Sequence, residues 1–328
     1  MAAPARIVLT ARSRAEVAEA GDAAARIVPV RRLRALSRAG VESKSRPADR
    51  GASSRAGDPM DTLPPPPLPP KAGAPRFRRL RVLSALVIRE MNRKFGRSAG
   101  GYAWALAEPL GGILLLSIAF SLALRSPPLG SNFMLFYATG VIPFSMFNTM
   151  SAGVSGAVRT NKGLLAYPVV TPLDAVFAKF VLNFMTILIV AVALMGGVIL
   201  FQGLHVNLDL AAVAGAFVLA ALLGLGVGTL NCVLFGLFPT WRNFWSVLTR
   251  PLFILSAIFY LFESAPPSFQ AILWWNPIVH VIGLMRSGFY GAYHPAFVSV
   301  PYVLGLSMTL FVIGAYLLRR HASLLLEQ

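Results

Sequence analysis

Between Tyr102 and Leu124 the chain runs almost without charge. That is about the 20 residues needed to cross roughly 30 Å of hydrocarbon. The stretch just before it has a different character. From Leu80 to Phe95, Leu80, Leu83, Val87, Ile88, Met91 and Phe95 recur at helical spacing on one face, while Arg81, Arg89, Asn92, Arg93 and Arg97 occupy the other. Val82 and Leu86 interrupt the stripe. A helix of this kind lies in a membrane interface, apolar face down and arginines toward lipid phosphates. Gly96, Gly100 and Gly101 then break it, and the chain dives through the membrane. Composition agrees: 56% of the 328 residues are hydrophobic and 13% are charged, where a soluble domain carries about 25% charged residues.

Five more spans are expected. They run over about 133–155, 172–201, 209–238, up to 262 for the fifth, and 297–318. Gly140, Pro143 and Gly153 in the second, and Gly224, Gly226 and Gly228 in the fourth, mark helices packed against neighbours rather than lipid. Thr171-Pro172 with Asp174 predicts a helix start with proline at its first position. Lys179 stands near enough to that start to snorkel. Pro239 to Asn243 reads as a loop, with Arg250-Pro251 just inside the fifth span. Between Glu263 and Pro295, Pro266, Pro267, Asn276, Pro277, His280 and Arg286 are too many breakers and polar groups for a lipid-facing helix. A re-entrant pair of short helices over 269–291 fits them better. The fold class is therefore all-α integral membrane, with six transmembrane helices, an N-terminal amphipathic interface helix and a re-entrant helical hairpin before the last span. The Phe77 helix, the Arg159/Lys162 loop, the Arg242/Arg250 region and the Arg319-Arg320 end are basic, which puts both termini in the cytoplasm.

Residues 1–76 are rich in Ala, Arg and Pro and include the run Leu63 to Pro70, six of whose eight residues are proline. They are expected to form a disordered cytoplasmic tail ahead of a membrane domain over 77–320 and a short C-terminus over 321–328. Glu16, Glu19 and Asp22 argue against an organelle presequence. Translation from Met60 is an alternative. The formal charge of +17 raises nucleic acid as a partner, but the basic residues of the hydrophobic part sit in short loops where orientation explains them. A single cysteine, Cys232, excludes a disulfide or a cysteine metal site within the chain. No GxxxxGK[ST], HExxH or GxSxG occurs, so the chain has no phosphate-cradling loop of its own. Glu108, directly before Pro109, reads as a first-turn carboxylate favoured by the helix dipole rather than a proton relay. Arg286 is the strongest functional candidate among membrane-embedded charges, weighed against a structural pairing with Glu263 or with backbone carbonyls.

Three segments in order, FGRSAGGYAWALAEPL, NKGLLAYPVVTPLD and WWNPIVHVIGLMRSGFYG, resemble the six-span permease of type-two ABC exporters, in particular its capsule and O-antigen polysaccharide group. Where that family often has an acidic residue before the arginine of the third segment, this chain reads Val281-Ile282-Gly283-Leu284. The resemblance implies a bacterial inner-membrane permease that forms a homodimer over a dimer of separate ATPase subunits. ATP and Mg would be bound there and not in this chain, and periplasmic or outer-membrane export components could join. The first helix would be a gate helix with Arg81, Arg89, Arg93, Lys94 and Arg97 guiding an anionic glycan. The ATPase-coupling loop would use Arg159, Asn161, Lys162, Leu164, Leu165, Pro168, Pro172 and Asp174. Trp274, Trp275, Asn276, Pro277, His280 and Arg286 would belong to the re-entrant hairpin at the outer mouth. Tyr102, Trp104, Phe144, Phe147 and Tyr260 are candidate channel aromatics, although Tyr and Trp also gather at membrane interfaces without further role.

The alternatives are an exporter of drugs or lipids and, from another class, a secondary transporter, which would need inverted repeats and midplane ion ligands. The gate assignment carries a test. Arg89, Arg93 and Arg97 changed together to Gln should lower export while leaving the protein inserted, read as surface glycan against membrane-fraction protein.

Overall fold

The computed structural model describes residues 78–95, 100–165, 170–204 and 206–327. The tail over 1–76, and with it the Met60 question, lies outside them. Helix α1 spans Arg78–Phe95, α2 Gly100–Ala123 and α3 Phe133–Ser155. Two short helices, α4 Ala157–Thr160 and α5 Lys162–Leu165, lead to α6, Pro172–Gln202. Next come α7 Leu210–Leu237 and α8 Pro239–Leu255. Helices α9 Pro267–Leu273 and α10 Pro277–Phe289 form the short pair before α11, Val300–Arg320, and α12, Ala322–Glu327. Five of these, α2 (from Leu106), α3, α6, α7 and α11, are long and apolar enough to cross a membrane.

Local chemistry sets the boundaries. The Asn132 side chain accepts the Leu135 N–H at 3.1 Å and starts α3. Thr171 and Asp174 form a reciprocal capping box at the start of α6, with Pro172 at the first helical position, as the sequence predicts. Gly203, in the left-handed region at φ 57°, closes that helix. Asp209 accepts the Ala211 and Ala212 N–H groups and opens α7.

The core is built where α7 meets α3 on one side and α11 on the other. A Cβ on Gly224 would stand 2.4 Å from Met150 Cβ and 2.8 Å from the Phe147 carbonyl oxygen. Gly228 meets Val154 and Ser151 in the same way one turn later. Gly226 instead faces the Ser307 carbonyl of α11 at 2.5 Å. The three glycines thus serve two contacts, not one face, and let dispersion contacts replace the hydrophobic drive that lipid does not supply. At one end of the molecule the loops 124–132, 203–209 and 290–299 gather. There the Asp209 N–H donates to the Gly288 carbonyl at 2.9 Å and the Tyr290 ring covers Gly130. The opposite end is closed by a second cluster that joins Val154, Val158, Leu165, Val176, Cys232, Leu318 and Leu325.

The structure corrects several expectations. Pro239 to Asn243 is not a loop but the first turn of α8, because proline at the first helical position needs no N–H partner. That helix stops at Leu255, ahead of 262, where Ala257 takes φ 57° and the backbone unwinds. Arg250 therefore sits well inside α8. Gly100 and Gly101 open α2 instead of separating it from α1, which places Glu108 two turns inside the helix, exposed and beyond the reach of the first-turn dipole. Leu86, which spoiled the amphipathic stripe, is the most buried apolar residue described in α1, while Ile88 and Met91 are exposed.

Gly224→Ala should lower the thermal unfolding midpoint in detergent, since overpacking a close contact costs about 1–3 kcal/mol. Gly215→Ala, whose methyl would find only Leu284 Cδ2 at 3.6 Å, should leave the midpoint nearly unchanged. Differential scanning fluorimetry on both variants makes the comparison.

Candidate functional site

The end that carries α1, α4 and α5 holds a connected set of charges. Leu86 and Glu90 turn inward from α1. Glu90 is 3% exposed and its Oε1 accepts from both Lys179 Nζ on α6 and Arg93 on its own helix. Burial pushes its pKa up, but the hydrogen bond and charge of Lys179, with those of Arg93, outweigh that and hold the carboxyl below its ordinary range. Lys179 therefore does not snorkel; it pairs. Arg89 Nη1 donates to Asn161 Oδ1 at 3.4 Å, and Arg93 Nη1 to the Thr160 carbonyl at 3.5 Å. Two of the expected gate arginines are thus laid along the loop. Arg81 is exposed, the Lys94 side chain is not among those described, and Arg97 lies outside the described residues.

Within the loop itself the expected residues divide. Asn161 is buried and its Nδ2 donates to the Ala157 carbonyl at 3.0 Å, so it caps α4 and does not face outward. Leu165 is buried in the second core cluster. Asp174 is used locally, accepting the Thr171 N–H and hydroxyl at 2.9 and 2.7 Å, while Pro172 begins α6. Arg159 is exposed, and Lys162 and Leu164 are half-buried. Pro168 lies outside the described residues.

A recess of about 540 Å³ opens beside this loop. Arg159, Lys162, Arg242, Trp245, Ser246 and Thr249 line it, with Asn148 and Ser155 from α3. Four of these belong to α8, whose Arg242, Asn243, Ser246, Thr249 and Arg250 recur at helical spacing as one polar stripe. No residue of α8 is buried. Trp241 fastens the start of the helix by donating its indole N–H to Asn231 Oδ1 at 3.0 Å. At about 1.5 Å per residue, Arg250 stands roughly 16 Å along the axis from Pro239. Sequence reasoning missed this stripe because it took Pro239 to Asn243, the first turn of α8, for a loop; the spacing of polar residues from Arg242 to Arg250 was the signal.

At the other end, the aromatic and polar residues of the third segment hold the short helices in place. Arg286 is 2% exposed. It donates to the Ile258 and Tyr260 carbonyls at 2.9 Å each and stacks its guanidinium 4.2 Å above the centre of the Phe136 ring. Backbone carbonyls are therefore its hydrogen-bond partners, while Glu263 accepts from the Tyr293 hydroxyl at 3.0 and 3.1 Å. Asn276 caps α10 and donates Nδ2 to the Leu255 carbonyl at 3.1 Å. With Pro277 at its first position, α10 begins there. His280 bridges the Trp274 carbonyl and the Ser299 N–H, at 2.7 and 3.1 Å. The N–H must donate to His280 Nδ1, so Nε2 carries the proton. Trp274 stacks on Tyr302, whose hydroxyl donates to the Trp275 carbonyl at 2.8 Å. Phe144 and Phe147 are buried, and the Phe144 ring meets those of Phe147 and Phe253 edge-on. Tyr260 is half-buried, and the side chains of Tyr102 and Trp104 are not among those described.

The ABC-2 type transporter family model matches residues 81–290. The polysialic acid transport protein KpsM of Escherichia coli is 30% identical over 239 residues, covering 72% of this chain and 92% of that protein. The capsule polysaccharide export inner-membrane protein CtrC of Neisseria meningitidis is 25% identical, covering 73% and 91%. BexB of Haemophilus influenzae, of the same description, is 23% identical, covering 73% and 90%. With α1 from Arg81 onward, the loop, the α8 stripe and the α9–α10 pair inside the matched residues, this chain belongs to the ABC-2 type transporter family.

Proposed function

We propose that this chain is the membrane-spanning subunit of an inner-membrane exporter of polysaccharide, driven by ATP that a separate subunit hydrolyses. Two copies would stand over two ATPase subunits, with the α4–α5 loop seated on them and the glycan passing between the permeases. The basic residues of α1, the loop, the start of α8 and Arg319-Arg320 favour a cytoplasmic position for that end and for both termini. Helix α8 would then be the fifth crossing in chain order and bring the total to six, since it leads from Trp241 near the loop to Leu255 beside the outer helix pair. Helices α9 and α10 would dip into the outer leaflet and return. Their pinning to α8 and α11 supports that role, because irregular backbone at membrane depth needs partners within the protein.

The observation that carries the reading is the α8 stripe. An arginine facing hydrocarbon at depth costs roughly 2.5–3.5 kcal/mol even on the gentler scale. An exposed Arg250, aligned with Thr249, Ser246 and Arg242, is instead suited to a water-filled path. A second copy would complete the wall of that path, and the charge of Arg250 suits an acidic or phosphate-bearing glycan.

The sign of one substitution separates the two environments. If Arg250 met lipid, Arg250→Leu would stabilise the protein and leave export intact. On the present reading Arg250→Leu lowers surface glycan by about tenfold, equivalent to about 1.4 kcal/mol, with unchanged protein in the membrane fraction. Arg242→Gln should act in the same direction.

A further inference from the structure

We propose that Glu90 is the positioning residue that yokes α1 to the loop, so that the interface helix and the α4–α5 segment move as one body. The inference rests on the loop's role as the seat of an ATPase subunit. It adds the route by which loop movement reaches the helix at the membrane surface.

Three contacts carry it. The Glu90 carboxylate joins α1 to α6 through Lys179, a residue 89 positions later in the chain. That lysine lies about two turns beyond the capping box at Thr171 and Asp174, where the loop ends. Arg89 and Arg93 join the same helix to Asn161 and Thr160, where the loop begins. Helix α1 therefore holds the first residues of the loop and, through Glu90, the helix into which the loop leads, so a displacement carried by the loop and the start of α6 takes α1 with it while these contacts hold.

The contacts differ in strength. Those of Arg89 and Arg93 to the loop are long, at 3.4 and 3.5 Å, and weak. The Glu90 carboxylate is 3% exposed and accepts from two cations, and removing it would leave the mostly buried Lys179 ammonium without its counter-charge. Glu90 is thus the fixed pin, and the arginines follow the loop. Arg93 serves both, since one of its Nη atoms meets Glu90 and the other meets the Thr160 carbonyl.

The test uses the complete complex, permease with its ATPase subunit, purified from cells and assayed in parallel for surface glycan. Glu90→Gln and Lys179→Met should each reduce glycan exported per ATP hydrolysed by at least fivefold, while the complex still assembles and still hydrolyses ATP. The exchange Glu90→Lys with Lys179→Glu should recover at least half of the lost export, because it restores the pair in reverse. Unchanged export per ATP in both single variants would overturn the proposal. So would a parallel fall in assembly, hydrolysis and export that the exchange fails to relieve, or loss of every variant from the membrane, since the pair would then only hold the fold. Failure of the unaltered permease to retain any ATPase subunit would instead sink the functional reading beneath it.

Discussion

A bilayer offers a bare carbonyl nothing to bond to, and the structure turns on how one such break is repaired. Where α8 ends, Ala257 swings to positive φ and the helix ladder stops. The Ile258 and Tyr260 carbonyls would be stranded, each at a cost of about 1–3 kcal/mol. The guanidinium of Arg286 answers both. Because that arginine stands on α10, closing the break also fixes where α10 lies. Asn276 adds a second tie, to the Leu255 carbonyl on the same unwound end. His280 and Tyr302 then bind the turn between α9 and α10 to the start of α11. Fixing the Leu255 end in this way holds α8 in place although its polar side is exposed.

Much of this was readable before any coordinates. Apolar runs of spanning length marked α2, α3, α6, α7 and α11, and the Thr171–Asp174 spacing marked the start of α6 through a cap that depends on neighbours alone. Short-range chemistry of this kind survives in sequence because its partners are three residues apart. The residues that failed depend on distant partners. Leu86 looked like a fault in an amphipathic stripe because periodicity assumes one apolar face, whereas α1 turns one side to α6 and another outward. Glu90 drew no notice because the cation that explains it is 89 residues away. Asn161 was assigned to the coupling loop without a partner of its own, yet its amide closes the turn it belongs to. Pro239 was taken as a loop residue, though proline suits a first helical turn equally well.

The charges fall into two kinds, and the division has a physical reason. Glu90, Lys179 and Arg286 are buried or nearly so and bound at close range. Groups held that way cannot also take hold of a passing polymer, because letting go of one partner to meet another would expose an uncompensated charge in a poor solvent. Arg159, Arg242 and Arg250 are exposed; on the proposed function they would meet water, which screens them and keeps each contact weak. Weakness is what a conduit requires: a chain with many like charges must be favoured at several successive sites and held firmly at none, or it would enter and never leave. The fold therefore places its strong electrostatics where parts must stay together, between α1 and α6 and between α8 and α10. On the function proposed above, the weak electrostatics along α8 would line the path of the exported glycan.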